Sequence, residues 1–254
     1  MPNALVRRPS PRLAQGLVSH IERKPVDYAT AERQWRGYVA ALTSSGWQTV
    51  DVPPADDCPD SVFVEDTVVM FGDLAVVTRP GADERRSEID ALPDVLSTLG
   101  VETARIDRPG TLDGGDILKV GSDVYVGQGG RTDPDGIRQL RRLVEPRGFT
   151  VVAVPVAKVL HLKSAVTALP DGTVIGYDPL VDDPRIFPRY RSMPEESGAH
   201  VVILDGETLL MAADCPRSIA LVQSLGYDVV AVDIGEFQKL EGCVTCLSVR
   251  LRDR

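Results

Sequence analysis

Apolar residues along this chain follow two rhythms that alternate. The first is helical: Ala31, Trp35, Val39 and Leu42; Ile89, Leu92, Val95, Leu96 and Leu99; Ile137, Leu140 and Val144; Ile219, Val222 and Leu225. Spacings of three and four put each set on one face of a helix. Pro93 falls inside the second set and is expected to interrupt or kink it. Gly46, Gly100, Gly148 and Gly226 close the four segments, as residues that accept a left-handed backbone after the last turn. Each leads into a short apolar run, at 47–53, 101–107, 149–155 and 227–233. Gly198, before 199–204, is a fifth and looser instance.

The second rhythm is a pair of strand-like runs around a turn. It occurs at 67–71 and 74–78 around Gly72-Asp73, and at 117–120 and 124–126 around Gly121-Ser122-Asp123. It recurs at 165–169 and 173–175 around Pro170-Asp171-Gly172, and at 201–204 and 207–211 around Asp205-Gly206. Gly, Asp and Pro supply the backbone angles of hairpins. The unit is therefore strand, turn, strand, helix, strand, repeated roughly every fifty residues. Residues 178–198 hold no convincing helix, so one unit is abbreviated. The last strand, 247–251, lacks a following helix, and the first, 4–7, lacks a preceding pair; together they close a ring, which removes exposed edges. The expected fold is α/β, a single domain over 1–254 forming a five-module α/β propeller about a pseudo-fivefold axis.

Composition narrows the function without naming it. The chain has 254 residues, a net charge of -9 and 43% apolar residues, ordinary for a globular protein. The acidity speaks against nucleic acid as a partner and suits a cationic substrate. No apolar run approaches a membrane span, and the first residues lack the apolar stretch of a signal peptide. Four cysteines, at 58, 215, 243 and 246, are too few for a disulfide scaffold. A cytoplasmic protein with free thiols is expected.

The repeat makes its polar deviations informative. Just before successive hairpins stand Glu65-Asp66, Asp113-Gly114-Gly115-Asp116 and His161-Leu162-Lys163-Ser164, and before the last strand Gly242-Cys243-Val244-Thr245-Cys246. In a ring these positions face one axis, so carboxylates, a histidine and a cysteine converge, the set needed for nucleophilic catalysis on a cation. Cys246 is the candidate nucleophile, since a thiolate can attack a guanidinium carbon; the bland alternative is a small buried hydrophobe. Cys243-x-x-Cys246 also admits redox or zinc chemistry. That reading is disfavoured, because residues three apart on a strand face opposite ways and no further zinc ligands stand at familiar spacings. His161 titrates near neutrality and can move the protons, unless it is simply a satisfied structural histidine. Asp60, Glu65, Asp66, Asp113 and Asp116 are either solvated acids and turn residues or a cage for a planar cation. Arg85 and Arg131 read from spacing alone as surface charge.

Five motifs now resemble one family, dimethylarginine dimethylaminohydrolase. They are 60–66, Thr78-Arg79-Pro80-Gly81-Ala82, Thr111-Leu112-Asp113-Gly114-Gly115-Asp116, Leu160-His161-Leu162-Lys163-Ser164, and Thr245-Cys246 with Ser248-Val249. They occur in order over nearly the whole chain. The resemblance implies the guanidino-modifying (pentein) fold and hydrolysis of asymmetric dimethylarginine or monomethylarginine to citrulline and dimethylamine or methylamine. It implies Cys246 as nucleophile, His161 as general acid and base, and Asp113 as the carboxylate that orients His161. Glu65 and Asp66 become guanidinium binders, and Asp60 a contact for the α-amino group. Arg85 and Arg131 become α-carboxylate binders, reversing the reading from spacing, and Leu17 sits on a loop that covers the site. No metal or cofactor is implied, and a homodimer is compatible.

Three rivals stand beside this. Arginine deiminases resemble the chain in fold but carry Glu-Gly-Gly-Asp and His-Leu-Asp, where this chain has Asp113-Gly-Gly-Asp116 and His161-Leu-Lys163; they also carry an extra helical domain for which there is no room. An agmatine deiminase has no need of arginines for an α-carboxylate. A non-catalytic arginine-binding sensor is the rival from another class, opposed by the intact Cys246, His161 and acid set.

Overall fold

The computed structural model describes residues 2–251. Five three-stranded sheets follow one another around a ring. Strand β1 (Asn3–Val6) runs into helix α1 (Tyr28–Ser44) and returns as β2 (Gln48–Asp51), parallel to β1. The second module is β3 (Val68–Phe71), β4 (Leu74–Val77), α2 (Leu92–Thr98) and β5 (Glu102–Arg105). The third is β6 (Ile117–Val120), β7 (Asp123–Gln128), α3 (Pro134–Val144) and β8 (Thr150–Pro155). The fourth has β9 (Val166–Ala168), β10 (Val174–Gly176) and β11 (Tyr190–Ser192), with 3-10 turns in place of a helix. The fifth is β12 (Val202–Ile203), β13 (Thr208–Ala212), α4 (Pro216–Ser224) and β14 (Asp228–Val232), and a short helix α5 (Gly235–Gln238) follows.

In these four modules the first two strands pair antiparallel and the second and third pair parallel. The final strand β15 (Val249–Leu251) supplies the missing antiparallel partner of β1, in the register Asn3↔Leu251, Ala4↔Arg250, Leu5↔Val249. The ring is thus closed by the two ends of the described chain, and the fold is a five-module α/β propeller.

The helices form where the apolar spacing places them, with some shifts. Residues Ala31, Tyr38 and Leu42 carry the buried face of α1, joined by Gln34, while Trp35 and Val39 are only partly buried. Asp27 caps the helix by accepting from the Thr30 amide at 2.6 Å. Pro93 does not kink α2. The helix starts at Leu92, so the proline lies in the first turn, where its missing amide costs nothing. Gly46, Gly100, Gly148 and Gly226 all take φ between 66° and 94°, as capping requires. Gly198 does not belong with them: residues Ser197–Ala199 form a 3-10 turn ahead of β12, and a Cβ at Gly198 would lie 2.0 Å from Ser218 Oγ. The abbreviated module takes its third strand from 190–192 instead.

Hydrophobic clusters fill the space between each sheet and its outer helix or the next sheet. Between modules, the turns before the first strands meet at the axis and bond in series. The Glu65 amide donates to Cys246 O at 3.2 Å, the Gly115 amide to Asp66 Oδ1 at 2.9 Å, and the Leu162 amide to Asp116 Oδ1 at 2.9 Å. His200 Nε2 lies 2.9 Å from Ser164 O.

Candidate active site

Two glycines let the turns approach. At Gly114 a Cβ would come within 2.0 Å of Glu65 O, and at Gly115 within 2.6 Å of both Asp66 Oδ1 and His161 Nδ1. The Asp113-Gly-Gly-Asp116 motif is therefore a close-packing device between neighbouring modules. Asp113 and Asp116 then bracket His161 from behind. His161 Nε2 lies 3.0 Å from Asp113 Oδ2, and Nδ1 is 3.8 Å from Asp66 Oδ1. Asp113 is fixed by the Gly81 amide at 2.8 Å and Asp116 by Thr132 Oγ1 at 2.6 Å. Burial alone would discharge the ring, but Asp66, the Asp113 hydrogen bond and Asp116 outweigh it and raise His161 to about 9. Burial opposes the Asp66 carboxylate too, yet His161, Arg85 and Arg131 hold it down at about 2. Asp116 moves the other way, to about 6, because burial outweighs His161 and Thr132.

The nucleophile candidate stands opposite. Residues 243–246 form a turn closed by the Cys246 amide on Cys243 O at 3.1 Å, and β15 starts only at Val249. This corrects the expectation that the two cysteines face opposite ways: their Sγ atoms are 3.3 Å apart, and both are buried and free. Tyr38 of α1 pins the turn, donating to Val244 O at 2.9 Å and sharing a 2.7 Å hydrogen bond with Ser248 Oγ. The hydrogen bond with Cys243, then burial and the charge of Glu65 and Asp66, push the Cys246 thiol well above its ordinary range.

Cys246 and His161 line one cavity of about 20 Å³ with Leu17, Asp60, Asp66, Arg85, Arg131 and Glu241. Eight of the nine residues expected at the site from the sequence thus meet at this cavity or, for Asp113, directly behind it. The exception is the Glu65 side chain. It turns to the other mouth of the axis, where it pairs with Lys163 at 2.6 Å, accepts from Thr245 Oγ1 at 2.8 Å and lies 3.5 Å from Arg250. The two arginines also differ. Arg85 is committed to the protein: to Glu88, at 2.8 Å through Nη2, to Asp66 at 2.6 Å, and to the Asp60 and Phe63 carbonyls. Arg131 Nη1 is buried without a hydrogen-bond partner, 3.6 Å from Asp113 Oδ2.

The cover is built from segment 16–20. The Leu17 amide donates to Asp60 Oδ2 at 3.0 Å, and the Ser19 and His20 amides donate to Glu241 at 2.8 and 2.7 Å. Glu241 holds φ of 62°, unusual for a residue with a side chain. Neither Glu241 nor Lys163 was legible as a site residue. Glu88 was not named from the sequence either, although it stands three residues after Arg85, the spacing of a helical ion pair.

Asp66, Asp113 and His161 bring ligand atoms within 4.8 Å of one another, close enough for a metal ion. Arg85 already neutralises Asp66, and the raised pKa of His161 puts a proton beside Asp113, so the trio is charge-balanced by fixed cations.

A five-module propeller with a cysteine, a carboxylate-held histidine and buried acids on its axis defines a guanidino-group-modifying protein of the pentein class. A family model described as arginine deiminase matches residues 56–214. A dimethylarginine dimethylaminohydrolase of Streptomyces coelicolor is 62% identical, over 98% of this chain and 97% of its own length. One from Pseudomonas aeruginosa is 36% identical over 97% of this chain and 98% of its own. A solved structure of the P. aeruginosa protein, a cysteine-to-serine mutant complexed with citrulline, superposes with a TM-score of 0.91 at 34% identity, covering 98% of both chains. The chain belongs to the dimethylarginine dimethylaminohydrolase family. No helix among the described residues is long and apolar enough to cross a membrane.

Proposed function

We propose that this protein hydrolyses Nω-methylated arginines, asymmetric dimethylarginine and monomethylarginine, to citrulline and dimethylamine or methylamine, with residues 1–254 acting as one catalytic domain. The observation that carries the reading is Cys246 and His161 on one small cavity, with His161 Nε2 3.0 Å from Asp113. The substrate cation supplies what Cys246 lacks. A guanidinium beside the buried thiol favours the thiolate, and three carboxylates line the cavity, Asp60, Asp66 and Glu241, to balance the charge. The thiolate attacks the guanidinium carbon. His161, charged at neutral pH by its acids, protonates the departing amine and leaves an S-alkylthiouronium on Cys246. The neutral ring then takes a proton from water, which displaces the sulfur and releases citrulline.

At the far end of the substrate, the Nη1 of Arg131, which makes no hydrogen bond and lies 3.6 Å from Asp113, suits the α-carboxylate and Asp60 the α-amino group. Arg85 acts through Asp66, which it holds ionised, and Glu65 stabilises the floor of the axis together with Lys163. A cavity of about 20 Å³ holds roughly one water, so the Leu17 segment must open for an amino acid to enter and close to exclude solvent.

Citrulline release from asymmetric dimethylarginine, monomethylarginine, arginine and agmatine, run beside Cys246→Ser, tests the reading. Turnover of the methylated substrates, falling by at least about 10³-fold in the variant, is expected. Turnover of arginine or agmatine in their place would move the protein to a deiminase activity. Tight binding without turnover would make it a sensor.

A further inference from the structure

The proposed reaction uses one of the two sulfurs in the 243–246 turn. The other is too close to ignore. The turn hydrogen bond holds the two Cα atoms within about 7 Å, and disulfides span about 4.4–6.8 Å between Cα atoms. The sulfurs stand 3.3 Å apart, and the Cys243 amide also points at Cys246 Sγ at 3.4 Å. Bonded sulfurs lie about 2.05 Å apart, so little movement remains. Cys58 and Cys215 differ: their sulfurs hydrogen-bond Ser87 Oγ and Ala212 O.

The two sulfurs also face different spaces. Cys246 lines the small covered cavity, whereas Cys243 lines a neighbouring cavity of about 570 Å³ shared with His20, Lys158, His200 and Lys239. A small solute can reach Cys243 from that larger cavity. The hydrogen bond between the two sulfurs favours a thiolate on Cys243; burial opposes it and His200 adds to it, and the Cys243 thiol falls below its ordinary range.

We propose that Cys243 and Cys246 form a modification site, in which hydrogen peroxide converts the pair to a disulfide and reversibly removes the nucleophile. The loss of activity rests on the reading of Cys246 given above; the disulfide itself does not. The Cys243 thiolate attacks peroxide: an S–O bond forms, the O–O bond breaks, and the released hydroxide takes up a proton to give water. This leaves a sulfenic acid on Cys243. The Cys246 sulfur then attacks that sulfur, the S–S bond forms and the S–O bond breaks. The hydroxyl leaves as water with the proton that Cys246 gives up. A dithiol reductant returns two electrons and restores both thiols.

The full-length protein is treated with peroxide, quenched with an alkylating agent, and analysed by intact mass and peptide mapping beside Cys243→Ser. The wild type should lose about 2 Da as two hydrogens depart, with a linked 243–246 peptide. Its citrulline release should vanish and return with dithiothreitol. Cys243→Ser should gain oxygen on Cys246 instead, and dithiothreitol should not fully restore its own starting rate. A wild-type map without the 243–246 link overturns the proposal, whatever the activity. A linked peptide in a protein that released no citrulline before treatment would uphold the disulfide, refute its role as a switch, and sink the enzyme reading separately.

Discussion

Asp113 and Asp66 shape the site through the proton they keep on His161. Both carboxylates are buried, and together with Asp116 they reverse the discharge that burial would impose on the ring. Asp113→Asn keeps the shape of the side chain and removes its charge. The descending limb of kcat/KM, set by loss of the His161 proton in the free enzyme, should move from near 9 toward neutrality. The maximal rate should fall about 10²–10⁴-fold. A pH profile with its alkaline limb unmoved would deny Asp113 this task.

Two elements far from the chemistry hold it in place. Helix α1 reaches the nucleophile turn through one hydroxyl, on a Tyr38 that is fully buried. Tyr38→Phe leaves the Val244 carbonyl and the Ser248 hydroxyl without that partner. It should cost about 1–3 kcal/mol, read as a lower denaturant midpoint at unchanged slope, with reduced turnover per folded molecule. Segment 16–20 depends on Glu241. Glu241→Gln replaces charge-assisted bonds to the Ser19 and His20 amides by neutral ones, a difference of about 1 kcal/mol. Faster hydrogen exchange at 17–20 and a KM raised several-fold are expected; unchanged exchange would mean that the cover is held by other contacts.

For the whole molecule, the axis ties stability to pH. His161 is raised from 6.5 to about 9 in the fold. A raised histidine favours folding fully below 6.5, and that contribution is lost as pH climbs through 9. Asp116, raised from 3.8 to about 6, likewise loses its contribution as pH climbs, but between those lower values. Asp66, lowered to about 2, stabilises above 3.8 and loses its effect only as pH falls toward 2. The denaturant midpoint should therefore decline between pH 6.5 and 9, less steeply in Asp113→Asn. A flat midpoint over that window in the wild type would contradict the charge balance on the axis.

The periodicity by itself determined the modules. Hydrophobic spacing marks α1, α3 and α4, and glycines that must turn left-handed mark where four helices end. The repeat of roughly fifty residues showed that distant polar residues share one place in it, which is why Cys246 and His161 were legible, while the role of Asp113 came from the resemblance. Those signals are local, or repeat at a fixed interval, and a chain carries both in one dimension. Tertiary structure alone decided the rest. It set the Cys243–Cys246 contact, because a turn rather than a strand precedes β15. It turned Glu65 away from the cavity, since Lys163 and Arg250 arrive from other modules. It committed Arg85 to Glu88 and left Arg131 Nη1 without a hydrogen bond. It made Glu241 the anchor of a loop more than two hundred residues earlier in the chain. Each of these depends on which way a side chain points once five sheets have closed, and the Coulomb and packing energies that choose that direction act between residues the sequence keeps apart.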